Sequence, residues 1–571
     1  MTSDEVSPQE RFAKVSKQFS SNPDHAQRLY DYASKHWLSY STPILAFGRN
    51  PRGLPISCFL NYLDDSSEGL INNLAETNWL SMMGGGVGVH VGIRGADEKS
   101  AGVMPHLKTY DASSLAYKQG STRRGSYAAY LDISHPDIIQ FLEMRKPTGD
   151  QNMRTLNLNH GINIPNKFME IIERCMIDPN ADDSWNLIQP HNGEIVDTVS
   201  AKALWMKILE LRMQTGEPYL WFIDHANDAL PEYQKLAGLS IKGSNLCSEI
   251  ALATSKERTA VCCLSSVNIE YFDEWSKDEL FLRDVLEMLD NVIQYFIDNA
   301  PDTIARAKFS AMRERSVGVG ELGYHSYLQA KDIEFEGAIA KSTNIRISRH
   351  IRTKLDIANI QLANERGSCP DASDYGIVRR CSHVMAIAPN ASSSIIMGNT
   401  SPSAEPYSAN AYRQDTTSGA FVNKNKNLDK LIKQYASGKS ESWYDDTWAS
   451  IISNDGSVSH LEWMDDHTKA VFKTAPEIDQ RWIVEQAADR QVFVDQAMST
   501  NLFFRPDVNV KYLHAVHFRA WKQGLKSLYY VRSSKLRKSD KVGQKLERRK
   551  IEDEIDMAAL IMGETCIACE G

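Results

Sequence analysis

The sequence predicts an α/β fold, on three observations. Short apolar runs, among them "ISCFLNYL" (56–63), "TAVCCLSSVNI" (259–269) and "HVMAIAPN" (383–390), alternate with segments of helical periodicity such as 280–299 and 339–365. A glycine-rich turn leads straight into a further apolar run in "GGGVGVHVGIRG" (84–95). The 571 residues are 42% hydrophobic and 24% charged, an ordinary globular balance. That length suits three or four domains or one large barrel.

Taken in order, residues 8–40 read as helix, and 41–55 read as a loop broken by Pro43, Pro51 and Pro55. The run 56–63 reads as a buried strand, 66–82 as helix, and 84–95 as a turn and strand. Near the other end, 526–536 reads as a strand. From there "SSKLRKSDKVGQKLERRKIEDEID" (533–556) is dense in charge and reads as a solvated, mobile tail. The expected organisation is an N-terminal helical segment (1–50), a catalytic body (51–532) and a C-terminal tail (533–571).

Charge and composition exclude some classes. A net charge of −9 argues against a binder of nucleic-acid polymers. No run approaches the roughly 18 apolar residues of a membrane helix, and the polar start "MTSDEVSPQERFAKV" has no apolar signal region. The expected location is a reducing cytoplasm, where nine cysteines suit free thiols better than a disulfide framework.

Several motifs carry chemistry. "VGVGELG" contains Gly318, Gly320 and Gly323 in G-x-G-x-x-G spacing, but "FSAMRERS" before it is a poor strand. Tight backbone packing is therefore favoured over a dinucleotide turn. "SNLCSEIAL" places Asn245, Cys247 and Glu249 at i, i+2 and i+4, which in an extended segment share one face. A carboxylate buried there needs a partner or a task. Cys262 and Cys263 lie in a second apolar run and Cys58 in a third. No histidine stands near Cys58, Cys247 or Cys262 in sequence, so redox chemistry is favoured over a metal site, and no metal ligands are assigned. "APNASSSIIMGN" (388–399) reads as a helix start, serving as an anion site or as an ordinary cap. Tyr529 and Tyr530 are adjacent, and an ordinary strand would bury one and expose the other. The terminal "CIACEG" carries Cys566 and Cys569, a C-x-x-C that alone reads as half a zinc site or a redox pair.

In combination these stretches resemble the large, catalytic (alpha) subunit of class I ribonucleotide reductase. "STPILAFG", "PISCFL", "GGGVGV", "NLCSEIAL", "VCCLSSVNI", "RSVGVGELG", "APNASSSIIMGN", "EPYSANAYRQ", "WKQGLKSLYYVR" and "CIACEG" occur in the family's order from about residue 38 to the end. The resemblance implies a ten-stranded α/β barrel of two five-stranded parallel halves. A central finger loop would carry "NLCSEI".

It further implies that Cys247 is the thiyl-radical residue, Glu249 the general base on the 3′ hydroxyl, and Asn245 its orienting partner. Cys58 and Cys262 would be the thiols that reduce the substrate and become a disulfide. Tyr530 and Tyr529 would relay the radical, and Cys566 and Cys569 would shuttle electrons. Substrate would lie against Thr42, Ser57, Gly86 and the segment Pro389, Asn390, Ala391, Ser392, Ser393 and Ser394. No cofactor is expected in this chain. The radical would come from the metallocofactor of a partner small (beta) subunit, and electrons from thioredoxin or glutaredoxin. The expected substrates are ribonucleoside diphosphates and the expected assembly a homodimer.

Two departures from the family are visible. Only about 40 residues precede "STPILAFG", so the resemblance is to a compact form without the N-terminal ATP-cone. The stretch "GIRGADEKSAGVMPHLKTYD" is also shorter than the family's effector-covering loop. Asp65 and Arg94 match effector contacts, and "KQGSTRRGS" (118–126) resembles the loop linking effector to substrate, which makes nucleoside triphosphates candidate effectors. Two other readings compete with this one. An adenosylcobalamin-dependent reductase would share the barrel and radical cysteine but needs no Tyr529–Tyr530 relay. A non-catalytic binding protein derived from the barrel would be expected to lack some catalytic residues, and all are present.

Overall fold

The computed structural model describes residues 7–49, 53–117, 125–416 and 419–533. The apolar runs form one curled sheet. Its first strand, β1 (Leu38–Tyr40), lies at an edge. Next come five parallel neighbours: β2 (Cys58–Leu63), β3 (Gly86–Val91), β4 (Tyr127–Asp132), β5 (Asn159–Ile164) and β6 (Tyr219–Phe222). β7 (Ala260–Asn268) runs antiparallel to β1 and β2, and β8 (Val317–Leu322) runs parallel to β7. Beyond β8 the second set continues as parallel bridges, Val319 to Met385 and Ile387 to Met498. Past a separate short strand, β9 (Leu502–Phe504), β10 (Ser527–Leu528) pairs antiparallel with β6 and returns to the first set. β11 (Val531–Ser533) pairs with β9. Two sets of strands in opposed directions, joined at both margins, are compatible with the ten-stranded barrel that the resemblance implies.

Covered faces explain the nearly unbroken apolar runs. Along each strand alternate side chains take opposite sides. Phe59, Ala129, Leu220 and Cys263 face the large core under the outer helices. Cys58, Leu60, Ala128, Tyr130, Tyr219, Trp221 and Cys262 point inward, where Leu246, Cys247, Tyr529 and Tyr530 join them in a second cluster. The pleat alone therefore decides that Cys262, and not its neighbour Cys263, meets Cys58. Helices Phe281–Asn299 and Ala338–Arg366 pack on each other, and the first covers β7 and β8.

Three expectations are corrected. Residues 8–40 form two helices, Pro8–Phe19 and Pro23–Ser34, and then β1. The break follows from Asn22, whose side chain caps the His25 N–H at 2.9 Å, with Pro23 in the first helical position. β1 joins the 1–50 segment to the sheet. Of the two readings of "NLCSEI", the extended segment is corrected and the loop stands: Leu246 and Cys247 form a turn, and Ser248 is left-handed at φ +62°. The 526–536 run is split into β10 and β11, because the ladder is interrupted at Tyr529 and Tyr530 and both rings turn inward.

The G-x-G-x-x-G lies in and just after β8, not in a nucleotide-binding turn. A Cβ on Gly318 would sit 2.9 Å from that of Ala386, and one on Gly320 would sit 2.8 Å from the Ala386 carbonyl. These two glycines let the Met385 segment lie against β8. Among the described residues no helix is long and apolar enough to cross a membrane. The tail with Cys566 and Cys569, and residues 118–124 of the 118–126 loop, lie outside the described residues.

Candidate active site

The finger loop is held by polar contacts at its root. Asn245 Oδ1 accepts the N–H groups of Glu249 (3.1 Å) and Ile250 (3.2 Å), which closes the loop on itself. Tyr130 donates its hydroxyl to the Asn245 carbonyl at 2.7 Å and lies 2.7 Å from Ser248 Oγ. Ser499 donates to the Cys247 carbonyl at 2.6 Å. Gly88 of β3 makes room for the loop, since a Cβ there would come within 1.9 Å of the Ser244 carbonyl. None of Tyr130, Ser499 or Gly88 was singled out from the sequence. Only Gly88 left a signal, as one glycine of "GGGVGV".

The loop brings three thiols, an amide and a carboxylate into one buried space. Cys58 and Cys262 are direct partners across the β2–β7 ladder, and opposed antiparallel residues have the spacing a disulfide needs. Neither is in a disulfide. Asn245 Nδ2 donates to Cys58 Sγ at 3.1 Å, and Cys58 Sγ donates to Glu249 Oε1 at 3.6 Å. Ser499 Oγ also reaches Glu249 Oε2, at 3.3 Å. Gln496 Nε2 donates to Cys262 Sγ at 3.5 Å. A narrow cavity opens on Cys58 and is lined also by Ser41, Ser57, Ser265, Ser266 and Asn390.

The Tyr529 hydroxyl donates to Cys247 Sγ at 3.3 Å. The Tyr529 and Tyr530 rings have centroids 4.3 Å apart. Tyr219 packs on both, at 4.7 and 5.0 Å. Exposure falls inward, from 8% at Tyr530 to zero at Tyr529 and Cys247. The guanidinium of Arg532 lies over the outer ring, 4.5 Å from the Tyr530 centroid.

Burial sets the protonation states. It pushes the Glu249 carboxyl up to about 7, against hydrogen bonds from Asn245, the Glu249 backbone, Cys58 and Ser499. It raises the Cys262 thiol well above its usual value, with the Gln496 amide the chief opposing influence. A carboxyl titrating near neutrality suits a general base. Its unfolded form loses the proton near 4.5, so the folded chain holds the extra proton between 4.5 and about 7. Stability contributed at this site therefore falls as pH rises through that window. Glu249→Gln is expected to raise the melting temperature relative to the parent at pH 8 and to leave it nearly unchanged at pH 4. Thermal unfolding at the two pH values checks the sign.

The remaining predicted residues are placed as follows. Thr42 opens the short helix Thr42–Leu45, between the lining residues Ser41 and Pro43. Gly86 begins β3 and donates its N–H to the Ser57 carbonyl at 3.0 Å. Asn390 is left-handed at φ +55°, and its amide donates to Ser266 Oγ (3.0 Å), the Glu321 carbonyl and the Ala388 carbonyl (both 3.1 Å). These bonds tie Asn390 to β7 and β8. Ser393 and Ser394 are buried, whereas Ser392 faces outward. Asp65 and Arg94 meet each other, with Arg94 Nε 2.6 Å from the Asp65 carboxylate.

Among the described residues one buried group, His25, Asp284 and Glu287, has metal-ligand spacing. Its carboxylates are already engaged, Asp284 by Arg28 at 2.6 Å and Glu287 by Arg366 at 2.5 Å. The cluster is an ion-pair network.

Comparison with known proteins agrees with this geometry. The family described as "Ribonucleotide reductase, barrel domain" matches residues 56–376 and 372–531. The ribonucleoside-diphosphate reductase large subunit of Invertebrate iridescent virus 3 is 50% identical, over 95% of this chain and 93% of that protein. The putative large subunit of Frog virus 3 is 46% identical, over 96% and 93%. The solved class Id ribonucleotide reductase alpha subunit of Actinobacillus ureae superposes with a TM-score of 0.80 at 34% identity, covering 92% of this chain and 93% of that one. With a barrel-domain match over most of its length and relatives this similar along nearly all of it, the chain belongs to the ribonucleotide reductase large-subunit family.

Proposed function

We propose that this chain is the catalytic subunit of a class I ribonucleoside-diphosphate reductase, forming 2′-deoxyribonucleotides for DNA synthesis by thiyl-radical chemistry. The observation that carries the reading is the contact of the Tyr529 hydroxyl with Cys247 Sγ, in the same interior as the facing pair Cys58 and Cys262. Tyr530, nearer the surface, receives an oxidising equivalent from a metal-containing small subunit and passes it to Tyr529. Cys247 then gives up its hydrogen atom and the thiyl removes the 3′ hydrogen of the substrate. Glu249 takes the 3′ hydroxyl proton and Asn245 orients that group. Cys58 protonates the departing 2′ hydroxyl, which leaves as water. Cys58 and Cys262 together supply two electrons and become a disulfide, and the 3′ hydrogen returns from Cys247.

Substrate phosphates are assigned to the Pro389–Ser394 segment, with Thr42, Ser57 and Gly86 beside the sugar. Asp65 and Arg94 are assigned to a nucleoside triphosphate effector, which would have to separate or bridge their ion pair. A homodimer in a reducing cytoplasm completes the assignment, with thioredoxin or glutaredoxin as reductant.

Cys566 and Cys569 are assigned to re-reducing the barrel disulfide. Changing both to Ser is expected to leave about one product per active site with thioredoxin as reductant, while dithiothreitol restores slow turnover. Product counting under the two reductants tests the assignment. Sustained turnover of that variant with thioredoxin would contradict it, and tail-bound metal would favour a zinc site instead.

A further inference from the structure

Cys58 and Cys262 are not equivalent sulfurs. Cys58 lines the cavity beside Ser41 and Ser57, whereas Cys262 is not among the residues lining it. Cys262 Sγ accepts from Gln496 Nε2, and that side chain is fixed in place: the same nitrogen donates to the Val317 carbonyl at 3.0 Å, and its oxygen accepts the Ala251 N–H at 3.4 Å. Cys58 Sγ lies between the Asn245 amide and the Glu249 carboxylate, so negative charge growing on Cys58 would face a carboxylate 3.6 Å away. In thiol–disulfide exchange, access decides which sulfur is attacked, and the sulfur that better carries negative charge leaves faster.

We propose that re-reduction of the barrel disulfide is directional: the incoming thiolate attacks Cys58, and Cys262 leaves as a thiolate stabilised by the Gln496 amide. This rests on the reading that Cys58 and Cys262 form a disulfide during turnover. The reductant is a dithiol. Its first sulfur bonds to Cys58 Sγ as the Cys58–Cys262 bond breaks, and the electron pair goes to Cys262 Sγ. Its second thiol ionises, the proton passing to Cys262, and attacks its own first sulfur. That step releases Cys58 as a thiolate, which takes from solvent the proton given up when the first sulfur ionised before its attack. The dithiol ends as a disulfide, and two electrons and two protons have moved to the barrel pair. The cavity explains why Cys58 is approached, and Gln496 gives the buried Cys262, whose thiolate burial otherwise disfavours, a donor aimed at the leaving sulfur.

The test uses the full chain with Cys566→Ser and Cys569→Ser, so that no tail thiol resolves the intermediate. After a single turnover the sample is divided. One half is digested directly to detect a Cys58–Cys262 linked peptide. The other is exposed briefly to glutathione, quenched in acid, and read by tandem mass spectrometry for glutathione on Cys58 or on Cys262. The expected result is a clear excess on Cys58, because each sulfur has an amide donor but only Cys58 lines the cavity and only its thiolate would face the Glu249 carboxylate. Gln496→Met should shrink that ratio and slow glutathione uptake several-fold. Equal labelling, or an excess on Cys262, overturns the proposal. An unchanged ratio in Gln496→Met overturns the part assigned to Gln496. If Gln496→Met does not fold, the ratio in the Gln496 chain still decides the direction of attack. Absence of the linked peptide in the first half overturns the disulfide reading itself, and the two failures are distinguishable in one experiment.

Discussion

Cys247→Ser is expected to fold like the parent chain and to form no deoxyribonucleotide. The expected loss is roughly 10⁴-fold or more, the scale reached when a group that acts in bond breaking is removed. The structure separates the two effects. The loop is anchored through the Cys247 backbone carbonyl by Ser499, and through Asn245 by Tyr130, so neither anchor uses the sulfur. A serine hydroxyl keeps a hydrogen-bond partner in Tyr529, so the cost of burying it stays on the order of 1 kcal/mol. Its O–H bond, however, is too strong to yield a hydrogen atom to a phenoxyl radical. Circular dichroism and thermal unfolding should match the parent within a few degrees while product counting with the partner subunit reads zero. Turnover near the parent rate would remove Cys247 from the proposed role.

Tyr529→Phe should match that loss. The ring stays packed between Tyr219 and Tyr530, at 4.7 and 4.3 Å, so the shape of the interior is kept. Only the hydroxyl that reaches Cys247 is lost, at about 1 kcal/mol of stability. Without a phenolic hydrogen the ring cannot pass the oxidising equivalent as a neutral radical to the Cys247 sulfur that its hydroxyl contacts. Substrate binding by equilibrium dialysis should be unchanged, because Tyr529 is not among the residues lining the cavity at Cys58. Tyr530→Phe is expected to behave alike. If either variant turned over normally with the partner subunit, that ring would not be an obligatory carrier.

The sequence made the strands and the redox residues legible for one physical reason. Strands covered on both faces need apolar side chains throughout, so a Cys, Asn or Glu among them stands out against its cost. The same pattern could not show that "NLCSEI" is a turn, because residues at i, i+2 and i+4 share a face only if the chain is extended. The left-handed Ser248 and the closing bonds of Asn245 replace that periodicity. The tyrosine pair misled in the same way: alternation would expose one ring, but the interruption between β10 and β11 lets both turn inward. Supporting residues such as Tyr130, Ser499 and Gln496 were invisible. A single buried Tyr, Ser or Gln has no sequence signature until the segment it bonds is known. Cys263 shows the opposite case, adjacent to Cys262 and equally apolar in context, yet placed by the pleat on the outer face, where it donates to the Leu289 carbonyl at 3.5 Å.

The central claim is that chemistry at Cys247 is started from outside this chain through Tyr530 and Tyr529. The most direct measurement is deoxyribonucleoside diphosphate formation by the full chain with dithiothreitol, with and without a metal-containing small subunit, and with adenosylcobalamin in its place. The account predicts product only when the small subunit is present. Product with adenosylcobalamin alone would contradict it and favour the cobalamin-dependent reading, and no product under any of the three conditions would favour a barrel that binds without catalysing.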